Sequence, residues 1–435
     1  MTTISNDRAA TTLSRRGFLA GAAATGSALT LAGRSVRAQS GGPARHLVVV
    51  LASGGWDASY ALDPKPGNPN VDTPPGDVQL FEQIPVWTAP SRPAVTSFFQ
   101  QWAPYTAVVN GINVRSIAHP ECRRRILTGV PGAGHPDIGA MAAFELAPEL
   151  PVPYLILGDT AYTGPLAAIA GRVGQTNQIK ALLDPSDAYP TRADSPYAHD
   201  GYVPDATDEA LIRDYVLAQA ERVRATRGQR GYNQARIDDF LGALPRGDVL
   251  RTQADGFGER GTTLSFQAQV DMTVRVLTEG ISRAVNLDTR LNWDTHNNNA
   301  PQGPMHEQLF AGLSLLAQAL ADAPGVQGGN TLLDETTVLV VSEMTRTPRL
   351  NGTGGKDHWP VASAMVLGAG VAGGRAYGST NELVEAEAVD LSTGEATADG
   401  VSLQPGNLVA GVMQIVGVDP SAYFPNQEPF GAICA

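Results

Sequence analysis

Two stretches do most to limit what this chain can become: "RHLVVVLAS" at 45–53 and "ETTVLVVSE" at 335–343 are unbroken apolar runs that stop at small or polar residues. A half-wet strand would alternate. A run with no polar alternation has to be covered on both faces, as happens in a parallel sheet flanked by helices. "YTAVVNGINV", "PYLILG" and "SAMVLGAG" read as further short strands, while 93–102, 208–227, 264–285 and 306–321 carry apolar residues at helical spacing. Strands alternating with helices predict an α/β body with a mostly parallel sheet. With 435 residues, 43% of them hydrophobic, the chain can bury a large core. It shows neither an internal repeat nor a linker. The expectation is one domain over 39–435, carrying a helical insertion at about 207–250.

The first 38 residues are of another kind. "LSRRGFLAGAAATGSALTLAGRSVRA" combines Arg15-Arg16, a mildly apolar Gly/Ala-rich run and the small-residue exit Val36-Arg37-Ala38, the pattern of a twin-arginine export signal cleaved after Ala38. A membrane anchor fits less well, because the run is short, diluted by Gly, Thr and Ser, and followed by Arg34 and Arg37. The expected location is the periplasm or the medium, and export through this route favours a chain that folds around a metal or cofactor first. The whole chain has a formal charge of −12; the first 38 residues hold five Arg and one Asp, so removing them leaves −16. Such a balance argues against nucleic acid and anionic membranes as partners, since both need clustered Lys and Arg. No later segment is apolar for long enough to insert stably in a bilayer. Spacing leaves open whether Cys122 and Cys434 pair.

Ligands of parallel sheets collect beyond the carboxyl ends of the strands. "GGWD" puts Asp57 just past the first run, and Glu343 closes the second. They either meet at one edge of the sheet or are a turn Asp and a solvated Glu. Three of the seven histidines fall in loops: His119 in "SIAHPEC", His296 in "NWDTHNNN" and His358 in "GGKDHWP", with Asp294 and Asp357 beside the last two. Carboxylates and imidazoles gathered at a strand-end crevice are the ligand set of a hydrolytic zinc or manganese site. Each Asp-His pair taken alone reads better as part of a hydrogen-bonded loop than as a metal site. In "HPECRRRILTGVPG", Pro120 suits a first helical turn, which would put His119 at the helix's positive end and Arg123 one turn on, placed to clamp an oxyanion. One turn cannot aim all of Arg123, Arg124 and Arg125 at a pocket; the alternative is a solvated basic face.

"HPECRRRILTG" resembles the sulfatase signature, in which a Cys that becomes formylglycine precedes Pro-Ser-Arg and Leu-Thr-Gly. Aligned on Leu127-Thr128-Gly129, His119 takes the nucleophile's place, Arg123 that of the signature Arg and Cys122 that of the Ser. Together with the paired arginines, "GGWD", "WDTHNNN", "VVSEMTRTPRLNGTGGKDHWP" and "NLVAGVMQIVGVDPSAYFP", the chain is similar to the domain-of-unknown-function family 1501, grouped with the alkaline phosphatase and sulfatase superfamily. The resemblance implies an alkaline phosphatase-like, doubly wound fold with helices on both faces and metals at the strand ends. It implies Asp57, Asp294, His296, Glu343 and His358 as metal ligands, with Asp357 a ligand or a partner of one. Met344 stands where the superfamily pattern has His, and a thioether suits a hard hydrolytic metal poorly. Histidine at 119 cannot become formylglycine, so conventional sulfatase chemistry is not expected.

The leading expectation is an exported metal-dependent hydrolase or transferase acting on phosphate or sulfate esters. In it His119 serves as nucleophile or acid, and Arg123 steadies the anion. Arg346, Arg349 and Lys356 are further candidates for holding a small anionic ester or glycan. The expected cofactor is a divalent metal, zinc foremost, with manganese, calcium and magnesium as alternatives. The competing expectation is a catalytically degenerate relative that binds a glycan, a surface polymer or a protein partner.

Overall fold

The computed structural model describes residues 45–183, 205–258 and 261–435. The expected export signal at 1–38 lies outside them, as does 184–204 of the turn-rich stretch that precedes the expected insertion.

Eight strands form the central sheet: β1 His46–Leu51, β2 Thr106–Asn113, β3 Tyr154–Ile156, β4 Ala170–Arg172, β5 Ala284–Asp288, β6 Thr336–Val341, β7 Val361–Gly368 and β8 Arg375–Tyr377. Their spatial order is β8-β2-β7-β6-β1-β5-β3-β4. All pairs are parallel except those of β7, which runs antiparallel to both β2 and β6. The unbroken apolar runs are explained by this position. Val48 and Val50 of β1, with Val338 and Val340 of β6, enter one core; Leu47, Val49 and Leu51, with Leu339 and Val341, enter the other.

The first core is roofed by α1 (Pro93–Trp102), α6 (Phe266–Thr278) and α7 (Gln302–Asp322), the second by α2 (His119–Thr128), α3 (Ile138–Leu146) and α8 (Pro405–Ile415). This is a doubly wound α/β sandwich. Between α3 and α6 in the chain lie two long helices, α4 (Ala206–Thr226) and α5 (Gly231–Thr252), which pack on each other and are largely exposed. Asp205 starts α4 through a capping box with Asp208.

One expected element is corrected. The helical pattern at 264–285 stops at Thr278, because Gly280 adopts φ 65° and turns the chain, and Ala284–Asp288 then becomes β5 beside β1. That strand delivers the "NWDTHNNN" loop to the carboxyl edge. Among the described residues both cysteines are free thiols, Cys122 on the buried face of α2. No helix among them is long and apolar enough to cross a membrane.

Candidate metal centre

Four loops meet at the carboxyl edge. Three leave the parallel strands β1, β5 and β6, and a fourth leads from β2 into α2. The reversed direction of β7 matters here, because its start, not its end, lies at this edge. His358, three residues ahead of β7, is thereby brought opposite residues that follow other strands.

Glycines allow the loops to close. Gly54 (φ 120°) sits against the Trp293 and Asp294 backbone, where a side chain would collide. Gly355 is pressed against the His296 carbonyl in the same way. Gln302 joins two of the loops, its Oε1 accepting from the Asp57 amide at 2.9 Å and its Nε2 donating to the Trp293 carbonyl at 2.9 Å.

His119 opens α2. Ala118 is still extended, Pro120 occupies the first turn and Glu121 lies at the positive helix end. Glu121 also pairs with Arg124 at 2.7 Å and Arg125 at 2.9 Å, drawing these two arginines along the helix surface. Arg123 points elsewhere, donating to Ser53 Oγ at 2.9 Å just past β1. The helix stops at Gly129 (φ 77°), whose Cα packs so closely on Phe424 and Gly406 that no side chain fits.

His119, Asp294, His296 and His358 each present one donor atom to a common point, all within 4.8 Å of one another. Asp294 Oδ1 is the hub, lying 3.4 Å from His119 Nε2, 3.1 Å from His296 Nε2 and 3.4 Å from His358 Nε2. Each ring is anchored through its other nitrogen. Nδ1 of His119 meets Glu343 Oε1 at 2.8 Å, Nδ1 of His296 meets Asp357 Oδ1 at 3.0 Å, and Nδ1 of His358 meets the Ile117 carbonyl at 2.6 Å. A carboxylate or carbonyl can only accept, so Nδ1 carries a proton in all three rings. In the neutral form of each ring the bare Nε2 lone pair then faces inward. His119 Nε2 is buried without a hydrogen bond, and His296 Nε2 lies 2.8 Å from His358 Nε2.

This donor set fits a cation. Ligand atoms about a tetrahedral zinc at ~2.0–2.1 Å are separated by roughly 3.3 Å, close to the three distances from Asp294 Oδ1. Imidazoles tied at the far nitrogen to carboxylate or carbonyl are the usual arrangement around metal-bound histidine. Electrostatics favour an ionised hub and a neutral His358. Burial would raise the Asp294 carboxyl, but the Arg346 hydrogen bond and charge, aided by His119 and His296, hold it at about 2. Burial, then the charges of His119 and Arg346, push His358 below the ordinary imidazole range.

The other sequence-nominated residues lie around this cluster rather than in it. Glu343 is fully buried, and both its oxygens accept from the Gly54 amide (2.9 and 3.0 Å) while one holds His119. Asp57 is buried too; its Oδ1 accepts from Ser59 Oγ at 2.6 Å and its Oδ2 from Asn299 Nδ2 at 2.9 Å, with Lys356 Nζ at 2.8 Å. Arg346 is a fully buried brace. Its guanidinium donates to the carbonyls of Gly54, Gly55, Trp293 and Lys356, and to Asp294 Oδ1 at 2.8 Å. Arg349 is exposed on the loop. Met344 packs in the apolar core, fully buried. Ser53 was not singled out in the sequence; its position directly after an apolar strand was the available signal.

Among solved structures, the chain is similar to an alkaline phosphatase superfamily protein from Vibrio parahaemolyticus (9% identity, 86% of this chain and 68% of that one, TM-score 0.37). It is also similar to the lipoteichoic acid synthase LtaP from Listeria monocytogenes (9%, 89% and 74%, TM-score 0.36) and the PsFucS1 sulfatase from Pseudoalteromonas sp. (8%, 86% and 68%, TM-score 0.32). Superpositions this loose bear on neither chemistry nor substrate. No curated protein matches the sequence. The model of one family, described as protein of unknown function (DUF1501), matches residues 44–432, and the chain belongs to that family.

Proposed function

We propose that the cluster of His119, Asp294, His296 and His358 binds a divalent transition metal, and that the protein is an exported hydrolase or transferase acting on phosphate or sulfate esters. The observation carrying this reading is the convergence of three anchored imidazoles and one carboxylate on a point at the half-exposed edge of the sheet. Imidazole donors favour zinc over manganese, calcium and magnesium, which prefer oxygen. A bound ion would act as a Lewis acid on an ester oxygen. The chain's own groups do the rest. Glu343, Asp357 and the Ile117 carbonyl hold the rings in the tautomer that offers Nε2. Arg346 keeps Asp294 ionised, and Arg123, one turn beyond His119, steadies the anionic group of the ester with Ser53 beside it. In this arrangement His119 is a ligand and not the nucleophile. The Arg15-Arg16 signal supports export to the periplasm or the medium.

The test is metal content of the chain produced with its export route intact, together with turnover of aryl phosphate and aryl sulfate. Retained zinc or manganese with turnover that disappears in His296→Ala is the expected result. A protein that keeps no divalent ion, and whose stability chelators leave unchanged, would sink the proposal. One observation favours a second reading: four protein donors complete a tetrahedral zinc shell, as in structural sites. Metal retention without turnover would support a metal-stabilised protein that binds a glycan, a surface polymer or a partner.

A further inference from the structure

Two carboxylates, Asp57 and Asp294, stand beyond adjacent strands at the edge that holds the cluster, yet only Asp294 belongs to it. Both oxygens of the Asp57 carboxylate are committed to protein partners. Oδ1 accepts from the amide and hydroxyl of Ser59 (3.2 and 2.6 Å), and Oδ2 accepts from Asn299 Nδ2 at 2.9 Å and forms an ion pair with the Lys356 ammonium at 2.8 Å. Lys356 is itself fully buried and lies 5.2 Å over the Tyr60 ring. A buried ammonium unsupported by an opposite charge would be strongly destabilising, so these two side chains require each other.

We infer that the centre holds a single metal ion per chain, and that Lys356 is a built-in cation which neutralises Asp57 and keeps it from binding a second ion. This inference rests on the metal-binding reading above. Lys356 is two residues from His358 in the same loop, and its amide donates to the Thr295 carbonyl at 3.2 Å. The loop that supplies a metal donor therefore also supplies the charge that closes the neighbouring acidic position. Thr295 and Asn299 link the two positions mechanically, Thr295 Oγ1 donating to Asn299 Oδ1 at 2.7 Å. Asp57 acts as a positioning residue for the Asp294–Asn299 turn, not as a ligand.

The experiment loads the full-length chain with excess zinc, removes unbound ion by gel filtration, and measures zinc per folded chain. One equivalent is expected. Two would overturn the inference while leaving the metal reading intact; none would overturn the metal reading and the inference with it. Because removing one buried charge alone could prevent folding, the second arm uses the paired neutral variant Asp57→Asn/Lys356→Met, checked for folding by circular dichroism. It should still retain one equivalent, with zinc affinity lowered by no more than about 10–100-fold, the loss usual for groups that hold a ligand in place without touching the ion. A larger loss in a folded double variant, or recovery of two equivalents in the wild type, would make Asp57 part of a metal shell and sink the inference.

Discussion

Asp57 and Asp294 each lie six residues beyond the end of a strand, and the two strands, β1 and β5, are neighbours. Their surroundings are opposite. Asp57 is sealed beneath the edge against the Lys356 ammonium 2.8 Å away, whereas Asp294 is half-exposed and shares one oxygen among an arginine and three imidazoles. The contrast teaches that position at a strand end makes a carboxylate available to the edge, but its counter-cation decides its use. Lys356 concentrates its charge on Asp57. Arg346 spreads its donors over four carbonyls and leaves Asp294 able to face an ion.

The comparison can be broken most directly by removing the hub. Asp294→Ala should abolish zinc retention measured by elemental analysis; a variant that keeps a full equivalent would erase the distinction between the two acids. Next in size, Arg346→Ala should lower folding stability by about 3–5 kcal/mol in urea titrations, because it strands a set of buried carbonyls and unbalances Asp294. A smaller change would mean that the loops close without their brace. Asp357→Asn should cost about 10–100-fold in zinc affinity, read by chelator competition, since it loosens His296 without removing a donor. Acid provides a gentler probe. Burial, with the Arg92 charge, lowers His306 to about 3, so its neutral form favours folding fully above the unfolded value near 6.5 and that contribution is lost as pH falls from about 6.5 towards 3. Unfolding free energy should decline over that window, and His306→Gln should flatten the slope. Last, Arg124→Ala should shift stability by no more than about 0.5 kcal/mol and leave zinc affinity alone, since its pair with Glu121 lies on the helix surface.

How far the site could be read in advance differs from residue to residue. The strand-end positions of Asp57 and Glu343 were legible because unbroken apolar runs announce strands and the residues after them lie at one edge. His296 and His358 were legible as loop histidines with acidic neighbours. The burial of Lys356 and Arg346 was not, because it depends on loops from 50 or more positions away closing over them; a cation in "TRTPRL" or "GGKDH" looks the same whether solvated or enclosed. The part His119 takes as a donor beside the other imidazoles was hidden for a related reason. Its place at the start of α2 suggests a nucleophile, and only the pairing of Nδ1 with Glu343, 224 positions away, shows which nitrogen faces the cluster. In the fold, β5 was absorbed into a longer helical pattern because "ISRAVNLD" continues the apolar spacing of α6, and the turn at Gly280 is one residue's conformation.

The single antiparallel strand has a consequence of its own. β6 and β7 pair directly, Val341 facing Ala364, so residues 342–360 are an excursion from what is otherwise a hairpin. That excursion carries Glu343, Arg346, Lys356, Asp357 and His358. One of the four donors, His358, and the groups that anchor or brace the other three therefore travel together on one loop, which the strands do not need for their register. A single insertion point in the sheet thus stores one donor and the anchors of the rest, so changes confined to this stretch would reshape the whole centre at once.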